Sequence, residues 1–116
     1  MISRKVMEMD FNIYQFRANK TAIYPKEKAL EYLGLGLVSE AGEVAGKIKK
    51  LIRDHNSELT PDFADQISLE VGDVLWYIAQ LSTELKMNMG KIASENIEKL
   101  SKRSAKNKLG GDGDNR

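Results

Sequence analysis

The chain has 116 residues, a formal net charge of +1, a single histidine and no cysteine, which suits one domain spanning 1–116 with a modest core. The missing cysteine excludes disulfides, thiolate catalysis and Cys-based zinc sites, and the near-zero charge argues against a stable nucleic-acid partner or an anionic membrane surface. No apolar run approaches the roughly 18 residues of a membrane span, and the start "MISRKVMEMD" lacks the apolar stretch of a secretion signal, so a cytoplasmic protein is expected.

All strong periodicities are helical and nothing of useful length alternates with period two, so the expected fold class is all-α, a bundle of about four helices. Asp10 is a good N-cap for a first helix that carries Phe11, Tyr14 and Ala18 on one side and ends near Ala22. Pro25 suits the first turn of a second helix. Its apolar positions Leu30, Leu33, Leu37, Ala41, Val44, Ile48 and Leu51 step by threes and fours to about Asp54, with Gly34 and Gly36 as candidate bend points. "HNSELTPD" reads as a turn, and Thr60-Pro61 as the cap and first position of a third helix through Phe63, Ile67, Val74, Ile78, Leu81 and Leu85. A fourth helix covers Met89 to Arg103. The last dozen residues, from about 105 to 116, hold too many glycines and charges to fold alone, and are expected to be flexible or ordered by a ligand.

Two short stretches stand out on this scaffold. "SEAGEVAGKI" and "LEVGDVLWYI" align Glu40, Gly42, Glu43, Val44 and Ile48 with Glu70, Gly72, Asp73, Val74 and Ile78. A pair of like charges one helical turn apart repels by a few tenths of a kcal/mol, so one such turn is an ordinary solvated face. The repeated spacing, with the same relation to the core stripe each time, points instead to a site. If the second and third helices pack antiparallel through their stripes, all four carboxylates lie along one edge of the seam. A hard divalent cation would keep them ionised, and Mg²⁺ is commonly shared between carboxylates and substrate phosphates. Lys47 and Lys50 continue the acid arc within reach of phosphate oxygens, or pair with Glu43 and Asp54. A ferritin-like di-iron centre needs Glu-x-x-His twice, and His55 stands in no such motif.

Other faces are less specific. Gly42 and Gly46 on the back of the second helix, and Gly72 and Trp76 on the back of the third, read as a packing or dimer surface, so a homodimer or homotetramer is expected. Lys99, Lys102, Arg103, Lys106 and Lys108 form a basic run without an acid, either a solvated tail or a phosphate clamp. "DGDN" resembles the start of a calcium loop, but too few residues follow it to supply the remaining ligands.

At these residues the chain resembles the MazG-like nucleoside triphosphate pyrophosphohydrolases of the all-α NTP pyrophosphatase superfamily. The resemblance is carried by "LVSEAGEVAGKIKKLIRD" and "LEVGDVLWYIAQL", and extends to "TAIYP" and "NIEKLSKR…GDGDNR". It implies that Glu40, Glu43, Glu70 and Asp73 bind Mg²⁺, with Mn²⁺ as a possible substitute, and that an NTP or dNTP is split to monophosphate and pyrophosphate. Glu40 or Glu43 would orient and deprotonate the attacking water. By the same resemblance, Asn96 and Lys99 match positions that face the nucleotide, and the tail is expected to close over it. Ser39 stands where the family often has a further acid. Two other readings stay open: hydrolysis of another pyrophosphate compound such as phosphoribosyl-ATP, and a non-catalytic, metal-binding dimerisation module.

Overall fold

A computed structural model describes residues 7–106. Four α-helices follow in order, α1 (Phe11–Asn19), α2 (Ala29–Asp54), α3 (Pro61–Glu84) and α4 (Met89–Ala105), with a 3₁₀ turn at Lys26–Lys28 and no strand among the described residues. The chain is therefore all-α. Three helices begin on a side-chain cap that satisfies an otherwise orphaned amide. Asp10 accepts from the Ile13 N–H at 2.8 Å, Thr60 from Phe63 at 3.2 Å, and Asn88 from Lys91 at 2.8 Å. Pro61 occupies the first turn of α3, where its missing N–H costs nothing.

Three boundaries differ from expectation. α1 stops at Asn19 rather than Ala22, because the chain turns there and Thr21 bonds Ala18 O through both its N–H and its hydroxyl. Pro25 precedes the 3₁₀ turn instead of entering α2, and its backbone is extended. Gly34 and Gly36 do not break α2, which runs for 26 residues packed along α3. Of the expected tail, Ala105 ends α4 and Lys106 caps it, and residues 107–116 lie outside the described part.

The main packing is α2 against α3, antiparallel. The Tyr77 ring lies on the backbone of Gly36, and Lys47 Nζ is 3.5 Å from Gln66 Oε1. These contacts agree on one register, since a step along α2 is matched by an equal step back along α3. Leu33 and Leu51 are buried, whereas Leu30 and Ile48 of the expected stripe are 54% and 44% exposed. At about 100° per residue they stand about 60° away from the Leu33–Leu51 line, at the outer edge of the arc. α1 crosses the back of α3 and there half-buries Trp76. The indole packs against both core clusters, Ala18–Ala79–Met89 and Tyr24–Ala29–Leu33. Of the expected packing or dimer surface, Trp76 is thus a packing position within the chain, while the space over Gly42, Gly46 and Gly72 is open.

The first turn of α4 is held by hydrogen bonds from α1. Asn12 Oδ1 accepts from the Gly90 N–H at 2.9 Å and Gln15 Oε1 from Met89 at 2.8 Å, so α1 side chains take up amides that the helix start leaves unpaired. Gln15 Nε2 also donates to Met87 O and Thr83 Oγ1. Farther along, Ile97 is 63% exposed.

Candidate active site

The register that seats Tyr77 on Gly36 sets Glu40, one turn on in α2, against Asp73, one turn back in α3. Glu40, Glu70 and Asp73 each present a carboxylate oxygen, and these oxygens all lie within 4.8 Å of one another. Glu43 is not part of this trio and is exposed. The helical phase explains the difference, because Glu40 lies about 20° from the Leu33–Leu51 line and Glu43 about 80° on the same side.

Glu40 and Glu70 are half-buried, and Asp73 is exposed. Burial pushes the Glu40 carboxyl above its usual range, and the charges of Asp73, Glu70 and Glu43 push it further. Three carboxylates this close favour either a proton or a cation. All the donors are hard oxygens with no sulfur or imidazole among them, which fits Mg²⁺ or Mn²⁺ better than a soft metal. His55 is not drawn in. It caps α2 and its ring packs on Phe63 at 5.1 Å.

The acids border a cavity of about 340 Å³ lined by Thr21, Glu40, Asp73, Trp76 and Tyr77. Its wall is braced, since Trp76 Nε1 donates to Thr21 Oγ1 at 2.8 Å and meets the Tyr77 ring edge-on at 5.0 Å. Burial raises the Tyr77 hydroxyl pKa, as do the neighbouring Tyr32, Glu40 and Asp73. On the other side of α3, Phe11 and Leu75 are shared by two adjoining apolar hollows. One, of about 410 Å³, adds Met9, Asp10 and Tyr14; the other, of about 270 Å³, adds Ile78, Met89, Ile92 and Asn96 among others. Tyr14 links this groove to the acids, because Asp73's charge, after burial, raises its pKa.

The remaining sequence candidates fall in two places. Lys47, half-buried beside Gln66, follows the acids along the seam, and Lys50 is exposed on the same side of α2. Asn96 lines the groove, with half-buried Lys99 and buried Arg103 one and two turns farther along that face of α4. The sequence marks Tyr14 and Trp76 only as packing positions and Thr21 not at all, yet they stand beside the site from α1, the back of α3 and the turn after α1. Tyr77 stands one turn beyond Asp73 on α3.

A family model described as the MazG nucleotide pyrophosphohydrolase domain matches residues 28–107. The chain is also 40% identical over 114 residues to "Gene 37 protein" of Mycobacterium phage L5, a match that covers 93% of this chain and 100% of that protein. No solved structure matches.

Proposed function

The chain belongs to the MazG nucleotide pyrophosphohydrolase family, and on that premise we propose that it hydrolyses a nucleoside triphosphate, NTP or dNTP, to the monophosphate and pyrophosphate with Mg²⁺. The observation that carries this reading is the convergence of Glu40, Glu70 and Asp73 from two helices onto one point beside a polar cavity. These three would hold the metal, which when bound neutralises triphosphate charge and stabilises the oxygens that attack and leave. Mn²⁺ is expected to substitute at least in part, since it accepts the same ligands.

Glu43 stands close enough to add to the Glu40 shift yet outside the trio. That position suits a base that orients the attacking water and takes its proton while the water oxygen bonds the α-phosphorus and the bond to the bridging oxygen breaks. Lys47, half-buried beyond the acids along the seam, and Lys50 on the same side of α2 would meet the departing pyrophosphate. The groove of Phe11, Leu75 and Asn96 is the seat for the nucleoside, with Lys99 and Arg103 continuing toward the phosphates. Exposed apolar positions on α2 and α3, Leu35, Val38 and Leu69 among them, support a symmetric dimer or tetramer as the working form.

The deciding experiment is pyrophosphate release from a panel of NTPs, dNTPs and phosphoribosyl-ATP with Mg²⁺, with Mn²⁺ and with EDTA. Turnover of one nucleoside triphosphate that stops in chelator is the expected result. Turnover of phosphoribosyl-ATP alone would move the substrate class, full activity in chelator would sink the metal reading, and an inert chain that still binds metal would be the helical module.

A further inference from the structure

Gly36 belongs to no acid motif, yet the fold uses it where a side chain of α3 meets the backbone of α2. A Cβ built there would lie 2.5 Å from Tyr77 Cζ, 2.7 Å from Cδ1 and nearer still to Cε1. No side chain fits in that space, so the ring must rest on bare backbone. The other helix-interior glycines, Gly34, Gly42, Gly46 and Gly72, meet nothing within 4 Å, and their Cβ positions are open.

The Tyr77 ring has little freedom to move aside. Trp76 meets it edge-on at 5.0 Å and is itself tied to Thr21. Tyr32 stands near enough to the Tyr77 hydroxyl to raise its pKa, and the Tyr32 ring stacks on Tyr24 at 5.7 Å. Tyr24 in turn donates its O–H to Glu84 at 2.8 Å. The ring is thus held by α3, by the segment before α2 and by α2 itself. One turn from this contact, on each helix, stand Glu40 and Asp73.

We propose that Gly36 is a positioning residue for the acid cluster: by receiving the Tyr77 ring on bare backbone it sets the spacing and rotation of α2 and α3 that bring Glu40 to Glu70 and Asp73. The inference rests on the metal reading above and adds to it a residue that touches neither metal nor substrate. A methyl group at 36 pushes the helices apart or turns one of them. The carboxylate oxygens then leave the distance at which they share one ion, while the helices and the rest of the interface survive.

The test measures Mn²⁺ affinity by titration, with helical content by circular dichroism, for the full chain and for Gly36→Ala and Gly36→Ala/Tyr77→Leu. Gly36→Ala is expected to stay helical and to lose about 10- to 100-fold in Mn²⁺ affinity, the usual scale for groups that orient ligands. The double variant relieves the clash and should return most of that loss. A folded Gly36→Ala that binds Mn²⁺ like the parent overturns the inference, and so does a double variant as weak as the single one. If Gly36→Ala does not fold, the double variant decides: parent-like binding supports the proposal, and weak binding or no fold overturns it. A parent chain that binds no Mn²⁺ fails the metal reading itself, whereas a binding parent with an unaffected Gly36→Ala fails this inference alone.

Discussion

The two sides of α3 are built differently. Toward α2 the contact is close enough that a ring lies on helix backbone, and hydrogen bonds tie Trp76 to Thr21 and Tyr24 to Glu84. Toward α4 an apolar groove stays open, and the start of α4 is held by hydrogen bonds from α1 rather than from α3. Ligands for a small cation must hold their geometry to a fraction of an ångström, which the first side provides. A nucleoside is larger, and a groove that one helix can close is suited to receive it.

The sharpest way to break this contrast is to remove ligands from the close-packed side. Glu40→Gln and Asp73→Asn should each lower kcat by about 10³-fold, with the double variant scarcely worse, because residues acting as a unit are not additive. Steady-state kinetics on the preferred nucleotide checks this, and multiplying losses would mean the acids act separately. Glu43→Gln should lower kcat while leaving Mn²⁺ affinity near that of the parent, as its place outside the trio requires.

On the groove side the expected effect is smaller and of another kind. Phe11→Ala and Asn96→Ala remove contacts made equally before and during reaction, so KM should rise about tenfold with kcat little changed. A fall in kcat instead would extend the reacting centre to α4.

A third test returns to the seam. Gln80 is 0% exposed, and neither its amide nitrogen nor its oxygen has a hydrogen-bond partner among the described residues. Since an unsatisfied buried polar group costs about 1–3 kcal/mol, Gln80→Met should raise unfolding free energy by about 1 kcal/mol in denaturant titration. A destabilised variant would show that the amide has a partner in the working form.

The mildest test is pH. Glu40's pKa is raised in the folded chain, so its contribution to apo stability is greatest at low pH and falls as pH rises through that pKa. Mn²⁺ affinity should run the other way, weakening as pH falls into a range above that of an ordinary carboxylate. Thermal melts with and without Mn²⁺ across acid pH should show the opposed slopes, and Glu40→Gln should flatten both.

Much of this was legible from the chain alone. Caps at Asp10 and Thr60, Pro61 at a helix start and the three-four spacing of Leu33, Val44 and Leu51 are local signals, and helices follow local rules. The twinned acid turns were equally plain, because a shared spacing on two helices survives any packing that joins their stripes. Only the tertiary structure decided how α2 and α3 are registered. The seat of Tyr77 on Gly36 sets Glu40 against Asp73, while the phase of Glu43, about 80° from the Leu33–Leu51 line, leaves it outside the trio. Trp76 is half-buried for the same kind of reason. A helix face is apolar or polar by sequence, but whether another helix covers it depends on where α1 crosses, and that crossing is set by contacts far apart in the chain.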